Sequence, residues 1–178
     1  MSIALNISEI LFAGVDMSES NRKKMVHEGS IRKITSKVYT SNMDDALEDI
    51  VRRNVFRIVG FLFPHAVISH RTAFELKPTA DGDIYLTYNY MKNVKLPGIT
   101  VHLMEGHGGS ERDMPFIENL YISSAERRTL ENLQTSRTRR GTSKCLPRTD
   151  IENYLERHLQ VNGEKGLNGF RDRAKECA

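Results

Sequence analysis

SESNRKKMVHEGSIRKITSKVYT, residues 18–40, decides how the rest of the chain is read. Ser18 and Ser20 are favourable N-cap residues, because a short side-chain oxygen accepts one of the amide protons that a helix leaves unbonded at its start. Met25 and Val26 supply an apolar face, and Gly29 offers the positive φ at which helices commonly close. The stretch predicts a helix from Ser18 to Glu28 with Met25 and Val26 turned inward. Ser30 to Ile34, Thr35-Ser36-Lys37 and Val38-Tyr39-Thr40 then predict a short hairpin with a polar tip. Upstream, Ile3, Leu5, Ile7, Ile10, Leu11 and Phe12, closed by Gly14, read as a first short helix. Two helices joined through a glycine and followed by a basic hairpin form the pattern of a winged helix-turn-helix, whose second helix enters the major groove.

The 178 residues suffice for one domain with an appendage or two small ones, and apolar (39%) and charged (28%) shares are ordinary for globular chains. No apolar run approaches the roughly 18 residues of a membrane span, so no membrane partner is expected. Met1-Ser2-Ile3-Ala4-Leu5-Asn6 lacks the cationic start and cleavage site of a secretory signal, which makes cytoplasm the expected compartment. Cys145 and Cys177 stand apart without CxxC spacing, as suits a reducing compartment rather than a disulfide framework or zinc site.

Charge is unevenly spread. Over residues 17–40 the six basic residues Arg22, Lys23, Lys24, Arg32, Lys33 and Lys37 face only Glu19 and Glu28, a local net of +4. Over residues 127–148 Arg127, Arg128, Arg137, Arg139, Arg140, Lys144 and Arg148 face Glu131 alone, a net of +6. With the whole chain at +3, the remainder carries −7. An acidic body with two basic segments is the distribution that local contact with a polyanion requires.

Further along, Leu47, Ile50, Val51, Val55, Ile58, Val59 and Leu62 recur at helical spacing and predict one long helix over 44–63, ended by Pro64. Ala66-Val67-Ile68 reads as a buried strand, Ser69 as the cap of a helical turn to Leu76, and Asp81-Gly82 as a turn. Strands are expected at 84–88, 99–103 and 120–122, the first two separated by a basic loop ending in Pro97-Gly98. Ser123 with Glu126 and Thr149 with Glu152 are capping boxes opening two more helices. A last helix, 164–176, carries Leu167, Phe170 and Ala174 as a docking stripe. The expected fold class is α+β: a winged helix-turn-helix over 1–42, a small mixed α/β domain over 43–135, and a basic loop with carboxyl-terminal helices over 136–178.

Catalytic patterns are weak. Gly106-His107-Gly108-Gly109-Ser110 lacks the spacing of a phosphate-binding loop. The six histidines never fall at HExxH or i,i+4 spacing, so no metal is expected. Ser69-His70 beside an apolar strand invites a nucleophile reading, but no GxSxG elbow surrounds it and a helix cap accounts for the serine.

The segment His27 to Thr40 resembles the winged helix-turn-helix of AbiEi-type antitoxins from type IV toxin–antitoxin systems. Ala66 to Leu76 and Gly82 to Thr87 are similar to the segment after the wing in that family. Leu96 to Leu103, and Met114-Pro115-Phe116 through Leu130-Glu131-Asn132-Leu133, resemble the antitoxin-like region ahead of Fic domains in some bacterial proteins. Nearly the whole chain is covered. Where the family commonly has a glycine before the valine-tyrosine pair, this chain has Ser36-Lys37, so a turn needing positive φ is expected to be rebuilt. The HPFxxGNGR loop of Fic adenylyltransferases does not occur in these residues.

Composition, motifs and resemblance lead to one expectation, a non-enzymatic DNA-binding autorepressor of a bacterial toxin–antitoxin or phage-defence locus. The alternative is a non-catalytic module that restrains a toxin or Fic domain by contact, and a nucleotide-transferring enzyme is the third reading. Expected partners are double-stranded DNA, a cognate toxin or Fic domain, and a second copy as a homodimer; no cofactor is expected. Ser20, Asn21, Lys23, Lys24 and His27 on the helix and Arg32, Lys33 and Lys37 on the hairpin are the expected DNA contacts. Arg137, Arg139 and Arg140 are expected to add sequence-independent phosphate contacts, or contacts to an acidic partner.

Overall fold

The structure, a computed structural model, describes residues 8–109, 111–134 and 143–177. It is a mixed α+β fold with two sheets. The smaller has three antiparallel strands, Ile10–Phe12 (β1), Arg32–Thr35 (β2) and Val38–Thr40 (β3), in the order β1-β3-β2. Helix Glu19–His27 (α1) crosses from β1 to β2.

Helices Leu47–Arg53 (α2) and Val55–Leu62 (α3) lead to strand Val67–Ile68 (β4) and the short helix His70–Glu75 (α4). Strands Asp83–Tyr88 (β5), Lys92–Leu96 (β6), Ile99–Glu105 (β7), Met114–Pro115 (β8) and Tyr121–Ile122 (β9) complete the larger sheet, in the order β6-β7-β5-β4-β9-β8. Two pairs, β5 with β7 and β4 with β9, are parallel. Helix Ala125–Leu133 (α5) and the helical run Arg148–Cys177 (α6), interrupted at Gly163, follow. Among the described residues no helix is long and apolar enough to cross a membrane.

Period-two side-chain alternation explains how the small sheet serves two cores. Ile10, Phe12 and Val38 face the main core, with Ile50, Val51, Ile58 and Val59 of the helices and Ile84, Leu86, Val101 and Leu103 of the large sheet. Leu11 and Tyr39 face the other way and join Met17, Ile31 and the half-buried Met25 under α1. Phe12 stacks on Phe61 with ring centroids 4.2 Å apart, welding the small sheet to α3. Glu9 adds a polar tie, accepting from Arg53 and from Asn54 and Asn42 at 2.7 and 2.9 Å.

Four expectations need correction. Residues 10–12, read as the end of a helix, form a strand paired with Val38–Thr40, and so the described residues hold one helix of the expected helix-turn-helix instead of two. The single helix over 44–63 is two helices meeting at Asn54, whose side-chain amide donates both to the Ile50 carbonyl at 2.9 Å and to Glu9. The basic loop before Pro97 is largely the edge strand β6. The cap of α5 also lies one residue on, at Ser124, which accepts from the Arg127 amide.

In the turn between β2 and β3, Lys37 takes φ +62. A left-handed non-glycine residue costs about 1–2 kcal/mol, and glycine's extra freedom in the unfolded chain returns part of it. Lys37→Gly should therefore stabilise the fold by about 0.5–1 kcal/mol, read as a rise in thermal midpoint; no rise would mean that the turn carries no strain.

Candidate nucleic-acid interface

Helix α1 begins at Ser18, whose hydroxyl accepts from the Asn21 amide at 3.3 Å, and closes before Gly29 at φ +68. It buries no residue fully. Met25 is half-buried, but Val26, expected inside, is exposed, because a nine-residue helix lying on a three-stranded sheet has room for only a narrow contact. Ser20, Asn21, Lys23, Lys24 and His27 are all exposed as expected, with Ser20, Lys23, Lys24 and His27 following one another at helical spacing on one face.

The β2–β3 hairpin stands beside this helix. Lys33 and Lys37 are exposed on it, and no ion pair engages either among the described residues. Between helix and hairpin runs a groove of about 410 Å³ lined by Ala13, Gly14, Glu19, Arg22, Lys33, Ser36, Lys37 and Tyr39. Arg22, absent from the expected contacts, is fixed there. Its Nη1 donates to the Tyr39 hydroxyl at 3.0 Å, its Nε donates to Glu19 Oε2 at 2.9 Å, and its Nη2 donates to Glu19 Oε1. This guanidinium holds the Glu19 carboxyl below its ordinary range. The i,i+3 spacing of Glu19 and Arg22 marks the pair in sequence, but Tyr39 reaches it only through folding.

The remaining cations are placed differently. Arg32 donates to the carbonyls of Asn42 at 2.8 Å and Asp45 at 2.6 Å, so its guanidinium ties the loop after the hairpin to β2. Arg137, Arg139 and Arg140 lie outside the described residues. Two members of the same basic segment turn inward: Arg127 bonds Asp113 at 2.7 Å and Glu131 at 3.0 Å, while Arg128 donates to the Ala73 carbonyl at 3.0 Å over the Phe74 ring.

Ser69 and His70 are neighbours in a buried polar cluster. Ser69 occupies the N-cap position of α4, yet its hydroxyl makes no cap bond and meets His70 Nδ1 at 3.1 Å. His70 stands at φ +51, and its backbone amide donates to the Glu131 carboxylate at 2.9 Å. Burial, then the charges of Lys144 and Arg127, push the imidazole down to about 4, so it is neutral near pH 7. Ser69 is fully buried and His70 only 5% exposed. The described residues contain no group of three metal-ligating side chains.

Compared with protein families, curated proteins and solved structures, the chain shows no match to any.

Proposed function

We propose that the chain binds double-stranded DNA, with α1 in the major groove and the β2–β3 hairpin on the adjoining backbone, as a sequence-reading repressor of the antitoxin type. One observation carries this: a helix with no fully buried residue, seated on a sheet, offers Ser20, Asn21, Lys23, Lys24 and His27 outward beside the cations of the hairpin. Asn21 has the paired donor and acceptor that match an adenine edge, Lys23 and Lys24 reach guanine acceptors or phosphates, and exposed Val26 suits a thymine methyl. Lys33 and Lys37 supply phosphate contacts that position the helix.

Fluorescence anisotropy with the chain's own upstream DNA and a random duplex, across a potassium chloride series, tests the reading. Asn21→Ala should lose about 1–3 kcal/mol of discrimination between the two. Lys33→Ala should weaken both alike and lower the salt slope by about one unit. A wild-type chain that binds its upstream DNA no better than random duplex sinks the repressor reading.

A second reading rests on an apolar groove of about 420 Å³ between α5 and α6, lined by Leu130, Leu133, Leu155, Phe170 and Ala174 among others. Phe170 of the expected docking stripe is buried, and the Leu167 side chain lies outside the described residues. A toxin or Fic domain held by contact would use a surface of this kind.

A further inference from the structure

The groove beside α1 brings three cations, Arg22, Lys33 and Lys37, against one carboxylate, Glu19. The two lysines are exposed, flexible point charges, whereas Arg22 is set in place. Its side chain is 23% exposed, the Tyr39 hydroxyl holds Nη1, and its carbon lies 5.8 Å from the centre of the Tyr39 ring. The edge formed by Nε and Nη2, which grips two oxygens at once, is turned to Glu19. Glu19 is itself 64% exposed, so its grip is that of a surface ion pair, weak once side-chain ordering is counted.

We propose that Glu19 stands in for a DNA phosphate: in the free protein its carboxylate fills the fork of Arg22, and on binding a backbone phosphodiester attracted by Lys33 and Lys37 takes that fork and displaces Glu19 into solvent. This rests on the DNA-binding reading and adds to it a contact residue, Arg22, and a step of exchange. Arg22 needs no rearrangement, because Tyr39 keeps its guanidinium in place throughout. Glu19 keeps a favourable position after release, since a carboxylate in the first turn of α1 interacts with the helix dipole. A guanine edge also presents two acceptors, but three cations against one carboxylate suit an anion better than a neutral edge.

The exchange is tested on the full chain by anisotropy with a labelled random 20-base-pair duplex across a potassium chloride series, thermal melts verifying that each variant is folded. Glu19→Gln should raise affinity about two- to fivefold, the factor released when an exposed pair no longer has to be broken, with a salt slope close to that of wild type, because Arg22 neutralises the same phosphate in both. In an Arg22→Gln background the same substitution should bring almost none of that gain. Glu19→Asp, which keeps the charge on a shorter arm, should also raise affinity. A Glu19→Gln gain of equal size with and without Arg22, or a Glu19→Asp variant no tighter than wild type, overturns the exchange while leaving DNA binding intact. A wild type with no measurable affinity for any duplex overturns both.

Discussion

Replacing Arg127 with alanine should lower the unfolding free energy by about 3–5 kcal/mol, the usual result of removing one partner from a buried ion pair. Its guanidinium is shared between Asp113, whose side chain is fully buried, and Glu131, which is 13% exposed. Burial already pushes the Glu131 carboxyl up, opposed by the His70 amide and by Arg127. Without Arg127 it rises further. A carboxyl whose folded pKa lies above its unfolded value contributes stability that is complete below the unfolded value and is lost as pH rises through the folded one. The deficit of Arg127→Ala, taken against wild type at each pH, should therefore shrink as pH falls from about 8 toward about 5. Urea unfolding midpoints across that range check both parts, and a deficit that does not change with pH would contradict the assignment to Glu131.

Gly82→Ala should be comparably damaging, about 2–5 kcal/mol, because two costs coincide: about 1–2 for a left-handed non-glycine residue and about 1–3 for overpacking. Gly82 has φ +82, and a Cβ there would lie 2.3 Å from the Gly98 carbonyl oxygen, a backbone atom with little room to yield. The Gly82 carbonyl accepts from the Thr100 amide at 2.9 Å, so displacement also disturbs the start of the β5–β7 pairing. Gly29 provides the control. Its φ is +68 with nothing within 4 Å of the built Cβ, and Gly29→Ala should cost only the conformational part. Equal losses in the two variants would exclude a steric role for Gly98.

Residues 18–40 were legible because each of their signals is local: a serine cap, a glycine stop and a short polar tip need no distant partner, although Thr35, read as part of the tip, ends β2. Ile10–Phe12 was not, since Ile3, Leu5, Ile7, Ile10 and Leu11 fit helical and extended spacing alike and the choice is made by Val38–Thr40. Strand β6 was hidden by its composition: Lys92, Asn93 and Lys95 read as a loop, although lysines on an edge strand are a common guard against unwanted pairing. The break at Asn54 interrupts an apolar spacing that runs unbroken from Leu47 to Leu62. Counting charge along the chain also misjudged Arg127 and Arg128, whose partners, Asp113 and the Ala73 carbonyl, become neighbours only in the fold. Among the groove residues, Arg22 was missed for the same reason, its anchor Tyr39 lying 17 residues further along the chain, in β3.

The small sheet, with Leu11 and Tyr39 against α1 and Ile10, Phe12 and Val38 against the body, bears on how such a protein acquires a new target. An exchange of residues 8–40 for the matching segment of another protein would have to reproduce the stack on Phe61 and the Glu9 contacts with Arg53 and Asn54, or forfeit the shared core. Substitutions at Ser20, Asn21, Lys23 and Lys24 carry no such debt, because none of these side chains is buried. If α1 reads DNA as proposed, retargeting is thus open to stepwise drift along that helix and closed to wholesale module shuffling.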